Sequence, residues 1–328
     1  MEESTPGTAR VTSPILIVGA RRSGTTLLRA ILSQHPDLLV HPAEPQFILD
    51  LYRRFGRCVY NVPEAVAYVR DPPHRAPAIS AWALENAYRE CKQLSLQEFV
   101  RRYLWLWVSK ERQQKRAVLK DPYFIRHLDL MFELFPAATF IHIVRDPRAN
   151  VSSQRARWSR ATTWECLRWW RDAVRAGHRM ARQQPHRCIE LRYEDLITTP
   201  EQTLRPLCRF LHVPFLSELL EFELETISFV PGKEPEPVRF TRLDPTRLTQ
   251  WQKYLSPLEV RLVEAGGRKE MAWYQYEATN PPVSLVALAV RLLQEQVRYQ
   301  MRAAARQIRD GLRQMMRFII HRPHCDNG

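Results

Sequence analysis

The stretch Gly19-Ala20-Arg21-Arg22-Ser23-Gly24-Thr25-Thr26 gathers two guanidiniums, three hydroxyls and two glycines. Glycine lets a backbone approach a ligand closely, while guanidiniums and hydroxyls donate to phosphate oxygens. The chemistry open to such a set is the binding of a phosphorylated ligand. A second set lies downstream: Arg145-Asp146-Pro147-Arg148, with Ser153 eight residues after Arg145. A guanidinium makes bidentate charge-assisted bonds to a phosphate, and a nearby hydroxyl adds a neutral donor. Between the two sets stand Glu44, flanked by Pro42 and Pro45, and Lys120, in Lys120-Asp121-Pro122. Glu44 reads as a solvated loop acid or as a base placed by a stiff turn. Lys120 reads as a snorkelling surface cation or as one aimed at a ligand crevice.

The elements that must hold these residues follow from local pattern. Ile15–Val18 is a short apolar run of the kind that forms a buried strand, and Leu27, Leu28, Ile31 and Leu32 repeat at helical spacing. A strand feeding a glycine-bearing turn into a helix N-terminus makes an anion site, because first-turn N–H groups lack helical partners and the dipole is positive there. The spacing Gly-x4-Gly-Thr-Thr approaches a Walker A loop, but Thr25 occupies the lysine position. The cations sit instead in the turn, as Arg21-Arg22, which predicts a nucleotide without a γ-phosphate and no obligatory metal. Further strands are predicted at Leu38–Val40, at Ala117–Lys120, at Thr139–Val144 before Arg145, and from Cys188 to Tyr193. Pro147 and Pro200 suit first helical turns. Glu44, Lys120 and Arg145 then fall just past strand ends, where open α/β sheets bind ligands. The region from Ile48 to Lys115 is predicted to be helical with an aromatic core and a Pro/Arg-rich loop over 70–77. A basic helix is expected over Arg155–Gln184, its tryptophans packed inside, and a Pro-rich basic loop over 228–253 with Lys233, Arg239 and Arg242.

The string Arg22-Ser23-Gly24-Thr25-Thr26 after an apolar strand resembles the 5′-phosphosulfate loop of sulfotransferases, in particular the branch of tyrosylprotein and bacterial enzymes. Lys120-Asp121-Pro122, Arg145 with Ser153, and Tyr193-Glu194-Asp195-Leu196 are similar to segments of the same family, over roughly residues 14–278. The resemblance implies an α/β fold, a three-layer P-loop-type parallel sheet flanked by helices. It implies 3′-phosphoadenosine 5′-phosphosulfate as sulfuryl donor, an acceptor hydroxyl or phenol, and no metal. By the same resemblance Glu44 is the base, with His41 a competing base. Arg22 and Lys120 are catalytic cations, and Arg22, Ser23, Gly24, Thr25 and Thr26 hold the 5′-phosphate. Arg145 and Ser153 grip the 3′-phosphate, Tyr193 lies on the adenine side, and Arg242 belongs to a late loop closing over the 3′-phosphate. The acceptor stays open among a small molecule, a glycan, a lipid and a peptide tyrosine.

At 328 residues with 45% hydrophobic content the chain has length for a large α/β domain, and disorder is excluded. The expected organisation is a flexible 1–13, a sulfotransferase domain over 14–280, and a basic amphipathic helical tail over 281–328. The tail's apolar residues step by three and four from Val286 to Ile319. Such a helix can lie on the enzyme, pair with a second copy as a homodimer, or sit on an anionic membrane surface. Scattered cysteines without a CxxC pair, and no apolar run of 18, predict a cytoplasmic protein, at most peripheral to a membrane. The net charge of +14 invites a nucleic-acid partner, but the nucleotide loops account for it equally well, and nucleic acid is not expected. Three rival functions remain: a P-loop kinase or ATPase, a non-catalytic adaptor binding membrane or nucleic acid through the tail, and an enzyme of the same fold whose donor is unsulfated.

Overall fold

The computed structural model describes residues 13–70, 79–108, 115–228 and 236–320. The expectations for 1–12, for 71–77, for Lys233 and for the last eight residues lie outside the described residues. The strands are β1 (Ile15–Gly19), β2 (Leu38–Val40), β3 (Cys58–Val59), β4 (Leu94–Ser95), β5 (Arg116–Lys120), β6 (Thr139–Val144), β7 (Cys188–Arg192), β8 (Leu224–Ser228) and β9 (Glu236–Phe240). Five of them form a parallel sheet in the order β2-β5-β1-β6-β7. Two antiparallel pairs, β3 with β4 and β8 with β9, stand apart from it.

β1 sits at the centre because all of its residues are apolar or glycine and can be buried on both faces. Its alternation divides the molecule into layers. Leu16 and Val18 join the core that includes Leu167, Trp170 and Val174 of the Thr163–Gln183 helix. Ile15 and Ile17 join the core that holds Leu28, Ile31 and Leu32 of the Thr25–Leu32 helix and Leu204 and Leu207 of the Pro200–Leu211 helix. From β1 the chain goes first to β2 and β5 on one side and then to β6 and β7 on the other. The carboxyl end of β1 is therefore the switch point of the sheet, the place where a crevice opens.

Two local differences from the sequence expectation have clear causes. The basic helix expected over 155–184 is two helices, Pro147–Arg157 and Thr163–Gln183. Thr162 and Glu165 form a reciprocal capping box, which supplies the partners that a fresh N-terminus needs and makes the break cheap. In the helical insertion Tyr88, Phe99, Tyr103 and Trp107 are core residues as expected, but Trp82 and Trp105 are exposed. At the end of the chain, Leu285–Ile320 is one helix lying on the Thr163–Gln183 and Pro257–Trp273 helices.

Candidate active site

The loop after β1 is shaped by two residues with positive φ. Gly24, at φ +100°, is the N-cap of the Thr25–Leu32 helix. A Cβ there would come within 2.4 Å of the Tyr193 ring, so only glycine fits. Arg22 adopts φ +67° despite its side chain, a strained conformation of the kind that concentrates at binding sites. The loop is tied from outside by Asn150 of the Pro147–Arg157 helix. Its amide donates to the Arg21 carbonyl at 2.8 Å and to the buried Ser23 hydroxyl at 3.0 Å.

The two arginines of the turn part company. The Arg21 guanidinium is held between the rings of Trp158 and Trp169, 4.2 Å from each centroid, and donates to the Tyr123 hydroxyl at 2.7 Å. Arg22 turns toward Ser153, to whose hydroxyl its Nε donates at 3.0 Å. Arg145, just past β6, stacks on Tyr193, 4.4 Å from the ring. It donates to the carbonyls of Arg22 at 3.2 Å and Arg247 at 3.1 Å, while its own carbonyl accepts from the Trp170 indole at 2.8 Å. Its Nε is buried without a hydrogen-bond partner, a donor left over for a ligand.

These groups surround a cavity of about 510 Å³ at the carboxyl ends of the parallel strands, a size suited to a nucleotide-sized ligand. Arg22, Gly24, Thr25, Thr26, Glu44, Lys120, Arg145, Ser153, Tyr193 and Arg242 all line it. Ser23 does not; its side chain is inside, on Asn150. Arg157 and Arg247 also line it, and sequence reading missed both. Arg157 closes its helix four residues after Ser153, outside the Arg145–Ser153 motif, and Arg247 lies in a short 3-10 turn of the late loop that no motif marks. Their effect is electrostatic. Burial first, then the positive charges of Arg145, Arg157 and Arg247, pull the Arg22 guanidinium down to about 10. Four guanidiniums on one wall describe a site for a polyanion.

On the opposite wall Lys120, almost fully buried, pairs through Nζ with Oε1 of Glu44. Glu44 Oε2 accepts from the Gln46 amide at 3.1 Å. Burial lowers the Lys120 pKa, and the Glu44 carboxylate opposes that shift. His41 is elsewhere. It is 1% exposed, its ring nitrogens lie 2.8 Å from the Ala43 carbonyl and 3.1 Å from the Tyr103 hydroxyl, and it meets Trp107 edge-on. Burial lowers its pKa to about 4, and it does not line the cavity.

Asp121, next to Lys120, is fully buried. Its Oδ1 accepts from the Tyr123 N–H at 2.8 Å, and its Oδ2 has no hydrogen-bond partner. Burial, with the Glu44 charge adding to it, raises its pKa from 3.8 to about 7. A raised carboxyl pKa means that the folded protein holds the proton longer than the unfolded chain. The stabilisation is complete below pH 3.8 and is lost as pH rises through 7. Asp121→Asn is therefore expected to gain stability relative to wild type between pH 4 and 7, by a few kcal/mol at most, since each pKa unit is about 1.4 kcal/mol. Thermal melts of both proteins across that range check it. The difference between them isolates Asp121, because His41 titrates over a similar range with opposite sign.

Acids from other elements hold the strand ends in place. Arg148 is buried between Asp146, at 2.6 Å, and Glu264, at 2.8 Å, with Trp251 against its guanidinium. Glu194 accepts from the Asp146 N–H at 3.0 Å and from the Tyr276 hydroxyl at 2.7 Å. The second arginine of Arg145-Asp146-Pro147-Arg148 is thus a framework residue, and the first faces the cavity.

The sequence and the fold both have counterparts. A model of the Sulfotransferase family matches residues 14–217. Protein-tyrosine sulfotransferase 1 of Danio rerio is 27% identical over 231 residues, covering 67% of this chain and 59% of that protein. The Drosophila melanogaster protein-tyrosine sulfotransferase is 29% identical over 217 residues, 64% of this chain and 40% of that protein. The chain thus spans less than two thirds of the length of these relatives. Among solved structures, the sulfotransferase domain of the Synechococcus PCC 7002 olefin synthase superposes with a TM-score of 0.57 at 22% identity, covering 81% of this chain and 95% of that one. The sulfotransferase domain from the curacin biosynthetic pathway gives 0.56 at 20% identity, covering 81% and 98%. The likeness to these two is one of fold. The family match covers more than half of the residues, its range takes in Arg22, Glu44, Lys120, Arg145 and Ser153 of the cavity, and this chain belongs to the sulfotransferase family.

Proposed function

We propose that the protein transfers a sulfuryl group from 3′-phosphoadenosine 5′-phosphosulfate to an acceptor hydroxyl, and that the acceptor is a phenol such as a peptide tyrosine. The observation that carries the reading is the pairing of Glu44 with Lys120 across one cavity from the Arg22, Arg145, Arg157 and Arg247 cluster. A base and a cation face a polyanion site, which is what an in-line transfer between two oxygens needs.

In this reading the first-turn N–H groups at Gly24, Thr25 and Thr26 and the backbone of Ser23 hold the donor's 5′-phosphate. Arg145, with Ser153, takes the 3′-phosphate, and Tyr193 flanks the adenosine. Arg247 is a better placed late-loop cation than Arg242, because its carbonyl already meets Arg145. The acceptor oxygen attacks sulfur, the bond from sulfur to the bridging phosphate oxygen breaks, and Glu44 takes the acceptor proton. Lys120 and Arg22 stabilise the charge that collects on the sulfonate and bridging oxygens, and adenosine 3′,5′-bisphosphate leaves. The acceptor side is walled by Gln46, Tyr123 and Trp158, the last two linked through Arg21. Flat aromatic walls suit a phenol, and the names of the two relatives support the same class.

The test is transfer of labelled sulfate from 3′-phosphoadenosine 5′-phosphosulfate to a tyrosine-containing peptide, with mass spectrometry locating the added group. Label on a serine or a glycan instead would end the phenol assignment, and no transfer to any acceptor would end the catalytic one. The donor half is tested separately. Adenosine 3′,5′-bisphosphate at a hundred times its Kd should raise Tm by about 4 °C, from roughly 2.7 kcal/mol of linkage over an unfolding entropy of about 0.7 kcal/mol/K for a chain of 328 residues. Adenosine 5′-monophosphate at the same concentration should do markedly less, and an equal shift from both would contradict a 3′-phosphate site.

A further inference from the structure

The Pro257–Trp273 helix ends in a turn that carries two tyrosines to the edge of the sheet. The Tyr276 N–H donates to the Met271 carbonyl at 3.0 Å and the Gln275 N–H to that of Ala272 at 3.4 Å, while Gln275 holds φ +56°. The left-handed residue of such a helix-ending turn is ordinarily glycine. A glutamine there is strained, so contacts on either side hold it in place. Those contacts come from the flanking tyrosines, both buried. Tyr274 donates its hydroxyl to Glu190 of β7. Tyr276 donates to Glu194 Oε2 at 2.7 Å, and the Arg192 guanidinium lies 4.9 Å from its ring centroid. The two acids lead to different places. Glu190 also meets His142 of β6 at 2.9 Å and His178 at 3.2 Å. Glu194, in the Tyr193–Thr198 helix, accepts through Oε1 from the Asp146 N–H at 3.0 Å. That N–H belongs to the peptide group between Arg145 and Asp146, whose carbonyl takes the Trp170 indole at 2.8 Å. The peptide group is thus pinned at its nitrogen and at its oxygen by side chains from two other elements. The Arg145 guanidinium in turn stacks on Tyr193, the residue next to Glu194.

We propose that Tyr276, acting through Glu194, is a positioning residue for Arg145, and that it thereby sets how strongly the site prefers a nucleotide carrying a 3′-phosphate. The inference rests on the donor assignment above, in which Arg145 takes that phosphate. Neither Tyr276 nor Glu194 lines the cavity, so their effect is carried by the backbone at the tip of β6. A planar guanidinium grips a phosphate only when its fork points the right way, and a small shift at the root of a long side chain displaces the fork further. The root of Arg145 is fixed by Glu194 and Trp170, and its tip by Tyr193. Burial raises the Glu194 pKa, and the Asp146 N–H and the Tyr276 hydroxyl oppose that shift. Losing the hydroxyl leaves a buried carboxylate oxygen without its partner, and the group then re-orients or takes up water at the expense of the Asp146 bond. Tyr276 lies beyond residue 217, where the family match ends, so selectivity for the donor depends on a part of the chain outside the matched span.

The test is calorimetry on the full chain with adenosine 3′,5′-bisphosphate and adenosine 5′-monophosphate. Tyr276→Phe is expected to lower the ratio of the two affinities by about tenfold, the equivalent of one hydrogen bond to a charged group. The loss should fall on the bisphosphate, since the 5′-phosphate loop is built from other residues. Tyr274→Phe is the matched control. It removes a hydroxyl from the same turn, but Glu190 keeps both histidines, and the ratio should stay at the wild-type value. Both variants lose a buried hydrogen bond and some Tm, so a merely structural role would move the two ratios alike. Glu194→Gln, which keeps an acceptor for the Asp146 N–H but not the charge, tests the same link without altering the turn, should Tyr276→Phe fail to fold; it is expected to lower the ratio by a smaller factor. A ratio that Tyr276→Phe retains, or that Glu194→Gln retains where Tyr276→Phe does not fold, overturns the inference and leaves the donor reading standing. An equal fall in Tyr274→Phe overturns it as well. A wild type that binds both nucleotides equally ends the donor reading, and this inference with it.

Discussion

Glu44→Gln is expected to lower kcat by about 10²- to 10⁴-fold, the usual contribution of a positioned general base. Glutamine keeps the length of the side chain and one oxygen that can still accept from Lys120, but it cannot take the acceptor's proton. The donor should bind as before, because the arginine cluster belongs to the other wall of the cavity. The expected signature is therefore a loss in kcat with an unchanged Kd for adenosine 3′,5′-bisphosphate. A fold control is needed. Lys120 is 3% exposed, and removing its carboxylate partner leaves a buried ammonium poorly compensated, so some loss of Tm will accompany the kinetic effect. The kinetics should be measured well below the variant's Tm. A variant that retains kcat within about threefold ends the assignment of Glu44 as base. His41→Asn is the paired control. A ring that is 1% exposed and bonded to Ala43 and Tyr103 should affect stability and leave the pH–rate profile of the folded enzyme unmoved.

Arg145→Ala is expected to weaken adenosine 3′,5′-bisphosphate by about 10²- to 10³-fold. Two charge-assisted bonds at roughly 1.5–2 kcal/mol each give 3–4 kcal/mol, and 1.4 kcal/mol is tenfold. The discriminating readout is selectivity. In wild type the bisphosphate should bind far better than adenosine 5′-monophosphate, and in the variant that ratio should collapse toward one. Arg145→Lys should not restore it, since an ammonium cannot reproduce a planar guanidinium that stacks on Tyr193 and forks to two acceptors. Isothermal calorimetry with both nucleotides checks this. An unchanged ratio in Arg145→Ala would place the 3′-phosphate elsewhere, with Arg247 the next candidate.

The units of this protein were legible because their signals are local. Strand, glycine turn and helix start are adjacent in Ile15–Leu32, and so are β6, the Asp146-Pro147 cap and the following helix. Period, capping and proline placement act within a few residues, so a single chain displays them. The same locality put Glu44, Lys120 and Arg145 at strand ends, and the parallel sheet then collects them at one crevice.

Tertiary structure alone decided which neighbour faces the ligand. Arg21 and Arg22 are adjacent and chemically equal, yet Trp158 and Trp169, well over a hundred residues away, capture one and leave the other to the cavity. Glu44 and His41 are three residues apart, and the Tyr103 hydroxyl and the Trp107 ring decide that the histidine is core. Arg157 and Arg247 carry no motif and join the site only through the way distant elements pack. The exposed side of the last helix follows from Glu295 reaching the N-terminus of another helix, a choice that no periodicity in its own sequence encodes. Local sequence sets what each segment can become, whereas the side a residue faces is a competition among contacts distant in the chain, and only the assembled core settles it.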